Sequence, residues 1–395
     1  MGTPLAGIRV LEVAEYGFVP SAAAVLADWG ADVVKVERPG GDPLRSHARS
    51  GLTAGSDDFD VTIEQFNRNK RGVAIDLRSP EGRAALDPLI ARADVFITSY
   101  LPPTRRKLRI DVDDVLAVNP TLVYARGSGQ GPRGPDADKG GFDSVAFWSR
   151  GGVAHMLSPP DGPLIMQRPA QGDGPSGMFL AGGIAAALLE RARTGASVIV
   201  DVSLLAGAVW TLAPDLVATS LLGHEPVRSG PAMSRLGPLV GAYRTADARW
   251  LMLNELDPAT GWDRACRALG FADWVGQPER NTAEHRDRFT DAIAAATLPD
   301  LVTRLAAEDC IFSAMATPPE VLADPQVTAL DYLPAHPTHA TARLASSPVQ
   351  FHDEPVRMTR AAPTVGQHTR EVLIEAGLTD AAVDALAASG AVVCG

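Results

Sequence analysis

The first two hundred residues alternate short apolar runs with stretches of helical period. Residues 8–13 and 33–36 read as strands, and 20–29 between them as a helix ended by Gly30. Residues 73–75 predict a third strand. Ser79-Pro80-Glu81 then opens a helix, because Ser79 can accept from free N–H groups and Pro80 suits the first helical position. Residues 95–97, 122–125 and 198–202 supply further strands. Apolar positions run on within each strand instead of alternating, which predicts a parallel sheet covered on both faces. Residues 176–193 form a long Ala/Leu-rich helix in which Gly182 and Gly183 would permit close packing, and 204–222 a further apolar helix.

The pattern changes after residue 222. Residues 223–240 are rich in Gly, Pro and Ser and read as a linker or mobile loop, and 241–325 as a smaller, less regular α+β unit. A Pro-rich stretch at 318–337 leads to a tail in which 366–393 holds a capped helix and a short second one. The expected organisation is a large α/β domain of residues 1–222 with 330–395, and a linker plus small domain at 223–329.

Composition narrows the partners. The chain has 395 residues and a net charge of −11, a field that argues against nucleic acid and anionic membranes but leaves room for one small anion held by a local basic patch. Cys266, Cys310 and Cys394 show no metal-ligand spacing, which suggests reduced thiols in a cytosolic setting. No signal-peptide pattern is read at the start; the apolar stretch 178–189 is too short to span, and 204–222 is interrupted by Pro214 and Asp215. A cytoplasmic protein is expected.

Gly129-Gln130-Gly131-Pro132-Arg133-Gly134 fits GxGxxG after a strand, yet Pro135, Asp136 and further glycines follow where a dinucleotide site needs a helix. HExxH, GxSxG and P-loop signatures are missing, and the eight histidines are scattered. Neither a metal nor a tightly bound cofactor is predicted.

Chemistry concentrates at Gln-Gly-Asp-Gly-Pro-Ser-Gly, residues 171–177, directly before the long helix. Asp173 either caps that helix, or sits among glycines that clear space for a ligand while the helix N-terminus favours its ionised form. An uncrowded carboxylate can attack an activated acyl carbon.

The ordered set "PLAGIRVLEVA", "LADWGADVVKVERPGGDPLR", "NRNKRGVAIDLRSPEGRAAL", "ADVFITSYLPP", "NPTLVYARGSGQGPRGP", "GFDSVAFWSRGG", "GDGPSGMFLAGGIAAALLERARTGASVIVDVSL", "VLADPQV" and "APTVGQHTREVLIEAGLTDAAVDAL" resembles the class III CoA-transferases of the CaiB–BaiF type, nearly end to end. Formyl-CoA transferase and α-methylacyl-CoA racemase are relatives in that family. The resemblance implies a Rossmann-like large domain with a smaller one, an interlocked homodimer, and acyl-CoA and a free carboxylate as substrates. It makes Asp173 the nucleophile, passing through a mixed anhydride and an aspartyl-CoA thioester. It places Arg38, Ile75, Arg78, Ser99, Tyr100, Leu101 and Lys107 around the nucleotide part of CoA. Lys107 stands where the family usually has arginine, a bidentate partner for phosphate where Lys is a point charge.

Tyr16, Gly17, Phe18, Phe142 and Asp143 fall at the substrate pocket by the same resemblance. Gly17 replaces an important Gln of formyl-CoA transferase; with Tyr16, Phe142 and Trp148 this suggests an apolar acyl pocket. Racemases carry "GHD" where this chain reads Gly141-Phe142-Asp143, and Phe142 cannot accept a proton. Asp143 is a secondary acid–base or hydrogen-bonding candidate. Oxyanion donors are expected from backbone N–H groups at 172–177 or around Gly237 and Gly241, and a glycine lid, weakly marked here, at 230–241. Besides the transferase, a 2-methylacyl-CoA racemase and a non-catalytic CoA-ester binding protein stay open as readings.

Overall fold

The computed structural model describes residues 3–46, 55–56, 59–228, 237–277 and 282–395. The predicted lid at 230–241 therefore lies mostly outside the described residues. The chain divides into two compact units, one of Met1–Ala154, Met166–Leu221 and Pro325–Gly395, the other of His155–Ile165 and Leu222–Asp324.

A seven-stranded sheet forms the first unit, in the order Val392–Val393, Arg71–Ile75, Asp32–Glu37, Arg9–Val13, Val95–Thr98, Val123–Ser128, Ile199–Ser203. Neighbours are parallel throughout, except that Val392–Val393 runs antiparallel along Arg71–Ile75. Numbered along the chain, the six parallel strands lie 3-2-1-4-5-6, the doubly wound Rossmann arrangement. Their order reverses between Arg9–Val13 and Val95–Thr98, so a crevice opens at the carboxyl ends of these two strands. The continuous apolar runs are explained by burial on both faces. Leu11, Val13, Val36, Phe96 and Tyr124 pack under the helices Pro80–Arg92 and Thr369–Glu375, while Phe18–Asp28 and Asp173–Thr194 lie on the other face.

Helix Pro80–Arg92 begins as its sequence predicts, with Ser79 Oγ accepting the Gly82 N–H at 3.0 Å. Three expectations are corrected. Phe18–Asp28 starts two residues ahead of Pro20, because in a first turn the missing proline N–H would have had no partner anyway. Residues 204–222 form two helices, Leu204–Thr211 and Ala213–Leu222, bent by 69°. In the tail it is the second helix, Asp380–Ala388, that carries a side-chain cap, Thr379 on the Ala382 N–H at 3.2 Å; Thr369–Glu375 has none.

The close approach in the long helix also comes from another glycine than expected. A Cβ on Gly177 would stand 1.9 Å from Ser21 Oγ and 3.1 Å from the Ala22 nitrogen, so this residue lets the helices Phe18–Asp28 and Asp173–Thr194 touch. Gly183 approaches only Val200, and Gly182 faces open space.

The second unit has a three-stranded antiparallel sheet, Val240–Arg244, Trp250–Asn254 and Phe312–Ala314, with Trp250–Asn254 in the middle. Helices Pro258–Leu269, Ala283–Ala294 and Leu298–Ala307 close its core of Tyr243, Leu251, Leu253, Trp262, Phe289, Ile293 and Leu301. Among the described residues no single helix is long and apolar enough to cross a membrane; the bent pair passes that test only as a pair.

Candidate active site

Two clefts sit at the carboxyl ends of the strands where the sheet order reverses. One, of about 580 Å³, is lined by Tyr16, Gly17, Phe18, Phe142, Val145 and Leu204 around Asp173. Ser99, Tyr100 and Leu101 reach it from the end of Val95–Thr98. The other, of about 260 Å³, is lined by Arg38, Ile75, Arg78, Tyr100 and Lys107. Glu15, Tyr100 and Thr104 border both. Every expected nucleotide-contacting residue thus lies on one of two adjoining clefts, and the expected nucleophile on the apolar one.

The cationic groups differ in how free they are. Arg38 is half-exposed, donates to the Gly41 carbonyl at 2.9 Å and lies 3.8 Å from Glu15. Arg78 is exposed and paired with Asp76 at 2.9 Å. Lys107 is exposed in the last turn of Pro102–Leu108. Ile75 is buried and forms part of the floor. Sequence reasoning missed Glu15, whose carboxyl is raised by burial first and by the charge of Asp42 second, and which bonds to the Tyr100 hydroxyl. An acidic residue two positions beyond a strand at the reversal point was a usable signal.

Tyr16 has φ +69°, a left-handed conformation that a tyrosine adopts only when held. Its N–H donates to Asp42 Oδ1 at 3.2 Å. Asp42 Oδ2 in turn accepts from the buried Lys35 ammonium at 3.0 Å, and Lys35 meets Glu12 at 3.1 Å. Lys70, also fully buried, lies 2.6 Å from the other Glu12 oxygen and donates to the Pro20 carbonyl at 2.9 Å. Burial pulls Lys70 below the usual lysine range, with Glu12 opposing. This internal network carries the turn that sets Gly17 against Asp173: a Cβ on Gly17 would stand 2.5 Å from Asp173 Oδ2.

Asp173 is the first helical residue, not the cap; Gly172 occupies the cap position without any side-chain bond. Its carboxyl is pushed up to about 7, by burial first and by the nearby charge of Asp143 second. The expectation that the helix N-terminus favours its ionised form fails, since that end is already occupied. Both oxygens of Asp143 accept from the Gly172 N–H, at 3.1 and 3.0 Å, and the Asp173 N–H also donates to Asp143. The Gly174 N–H goes to the Ala170 carbonyl at 3.2 Å, Pro175 has none, and the Ser176 N–H goes to Gly172 at 3.0 Å. The backbone N–H groups of Gly172, Asp173, Gly174 and Ser176 are therefore all engaged at the helix start, and only the Ser176 hydroxyl there is left without a partner among the described residues. Gly241 pairs with Leu253 in the second unit's sheet, and Gly237 belongs to that unit too.

Phe142 is 59% exposed and meets Tyr16 edge to face at 5.1 Å, so both present apolar surface to the cleft. Trp148 is buried core and does not line it. Asp143 is buried just behind, at the start of the π-helical segment Ser144–Arg150. The Gly129–Gly134 stretch is a loop, as its prolines and glycines require, with Gly129 packed against Gly141. Among the described residues no cluster of three or more His, Cys, Asp or Glu is arranged to hold a metal.

The sequence profile of CoA-transferase family III matches residues 5–369. The chain is similar to the cinnamoyl-CoA:phenyllactate CoA-transferase of Clostridium sporogenes, 31% identical with 96% of this chain and 95% of that one aligned. It is 30% identical to the (R)-2-hydroxy-4-methylpentanoate CoA-transferase of Clostridioides difficile, covering 94% and 95%. A solved CaiB/BaiF family protein from Brucella suis superposes with a TM-score of 0.81 at 26% identity, over 95% of this chain and all of that one.

Proposed function

We propose a reaction from one premise: the chain belongs to CoA-transferase family III and is a CoA-transferase. In this reading Asp173 attacks the thioester carbonyl of an acyl-CoA, the C–S bond breaks, and CoA leaves as thiolate from a mixed anhydride. The thiolate then attacks the aspartyl carbonyl, giving aspartyl-CoA and the free donor acid. An acceptor carboxylate attacks that thioester, and the released thiolate takes the acceptor acyl group from the second anhydride. Asp173 is regenerated and the proton count is unchanged. The supporting observation is the Asp173 carboxylate itself, without a hydrogen-bond donor among the described residues, half-buried in an apolar cleft beside Gly17. Shelter from water protects an anhydride.

Arg38, Arg78 and Lys107 are the cations for the CoA phosphates, with Ile75, Ser99, Tyr100 and Leu101 along the nucleotide part. The apolar lining of Tyr16, Phe18, Phe142, Val145 and Leu204 favours a bulky apolar acyl group, in keeping with the aromatic and branched acids named for two relatives. Phe142 cannot serve as the second base that racemisation requires. The protein is read as a cytoplasmic homodimer whose residues 1–222 and 330–395 bind CoA, with no tightly bound cofactor. Incubation with a panel of acyl-CoAs followed by hydroxylamine should leave a hydroxamate on the peptide containing Asp173, dependent on acyl-CoA. No adduct with any donor, despite measurable acyl-CoA binding, would overturn the covalent mechanism.

A further inference from the structure

Two aspartates compete for one helix end. The start of Asp173–Thr194 offers a partial positive charge and a few unpaired N–H groups, and a carboxylate placed there is normally stabilised. Asp173 is nearest in sequence, yet the first two donors, the Gly172 and Asp173 N–H groups, are taken by Asp143, which arrives from the segment before Ser144–Arg150. Room for it is made by Gly172, where a Cβ would come 2.5 Å from Asp143 Oδ1 and 2.3 Å from the Phe147 ring. Gln167 adds a further donor to Asp143, which is 6% exposed. Asp173 is left on the cleft side, against Gly17.

We propose that Asp143 is a positioning residue: by occupying the N–H groups of this helix end, it keeps the Asp173 carboxylate unbonded and turned to the cleft. This rests on the reading of Asp173 as nucleophile. A carboxylate oxygen that accepts no hydrogen bond has its lone pairs available for attack, whereas one tied to two amides must first give them up. A second negative charge behind it raises its basicity further, as the direction of its shift agrees. Asp143 does no proton transfer in this account. Both of its oxygens accept from the Gly172 N–H, so of the acid–base and hydrogen-bonding roles expected of it this account uses the second.

Several charges on the surrounding elements are engaged with other partners, and Glu15 on the same cleft bonds the Tyr100 hydroxyl. Asp28, on Phe18–Asp28, is paired with Arg68 at 2.6 Å, and Arg150 with Asp136 at 2.6 Å. Asp201 of Ile199–Ser203 is paired with Arg126, Lys70 is turned to Glu12, and Leu204–Thr211 carries no charged residue. Asp143 is the charge that acts on Asp173.

The test is a carboxyl titration of the full-length protein labelled with ¹³C-aspartate, the Asp173 signal being assigned by its loss in Asp173→Asn. In Asp143→Asn the midpoint of Asp173 should fall by about one pH unit or more, because the neighbouring charge is gone while the amide oxygen can still accept from the Gly172 N–H. The acid limb of kcat/KM should move down with it, and the plateau rate should drop roughly tenfold. Asp143→Glu, which keeps charge and acceptors, should restore most of the titration shift. An unchanged midpoint in folded Asp143→Asn overturns the proposal, as does a loss of activity that follows thermal stability alone with the acid limb unmoved. If the midpoint falls but acyl-CoA never labels Asp173, the transferase mechanism fails while the positioning role stands.

Discussion

Ionising Asp173 places a charge in a half-buried spot with no donor beside it, so folding favours its protonated form. With a folded value near 7 against 3.8 unfolded, the stability carried by the protonated group is fully present below about pH 3.8 and is lost as pH rises through 7. Asp173→Asn should therefore be more stable than the parent at pH 8, by about 1–2 kcal/mol once solvent screening is allowed for, and the gap should shrink towards pH 5. Thermal melts at the two pH values check this; equal gaps at both would contradict it. The same variant should lose turnover, the familiar exchange of stability for a reactive group. Asp173 was singled out by the family resemblance; its flanking glycines and the long apolar helix after it fitted a helix cap as well. The part played by Asp143 was not legible in the sequence. Its bonds to Gly172 join segments far apart along the chain, and no spacing rule encodes them. Glu12 and Lys35, charged residues set within apolar strands, did announce an internal ion network that strand-pattern reading alone passes over.

At the scale of elements, the strands were readable because β-branched runs buried on both faces have little alternative. Helix limits were less so: a proline in a first turn looks like a start, and the bend after Leu204–Thr211 is fixed by packing rather than by composition. Helix pairing depended on one small residue that pattern reading placed a turn and a half too late. Gly177→Val should force Phe18–Asp28 and Asp173–Thr194 apart and destabilise the protein by about 1–3 kcal/mol, measured by urea unfolding. Its catalytic loss should exceed what unfolding explains, since Ser21 Oγ, which bonds the Asp173 carbonyl at 3.3 Å, is the atom displaced. An equal loss at Gly182→Val, which meets open space, would contradict this account.

Across the whole molecule, apolar side chains on the bent helix pair stand open to solvent: Trp210 at 71%, Val217 at 67% and Leu221 at 82%. Helix Ala213–Leu222 has no buried residue at all. A surface of this kind suits a second copy of the chain, and the proposed homodimer predicts that light scattering gives twice the chain mass, with Val217→Asp plus Leu221→Asp shifting it towards the monomer at micromolar concentration. A monomeric parent would contradict the proposal. The antiparallel strand Val392–Val393 has a different kind of consequence. During synthesis, Arg71–Ile75 leaves the ribosome early, yet the segment that seals its outer edge is made only after almost all of the intervening chain. Nascent chains must therefore carry an open sheet edge through most of translation, and ribosome stalling within the tail would release a species prone to edge-to-edge pairing.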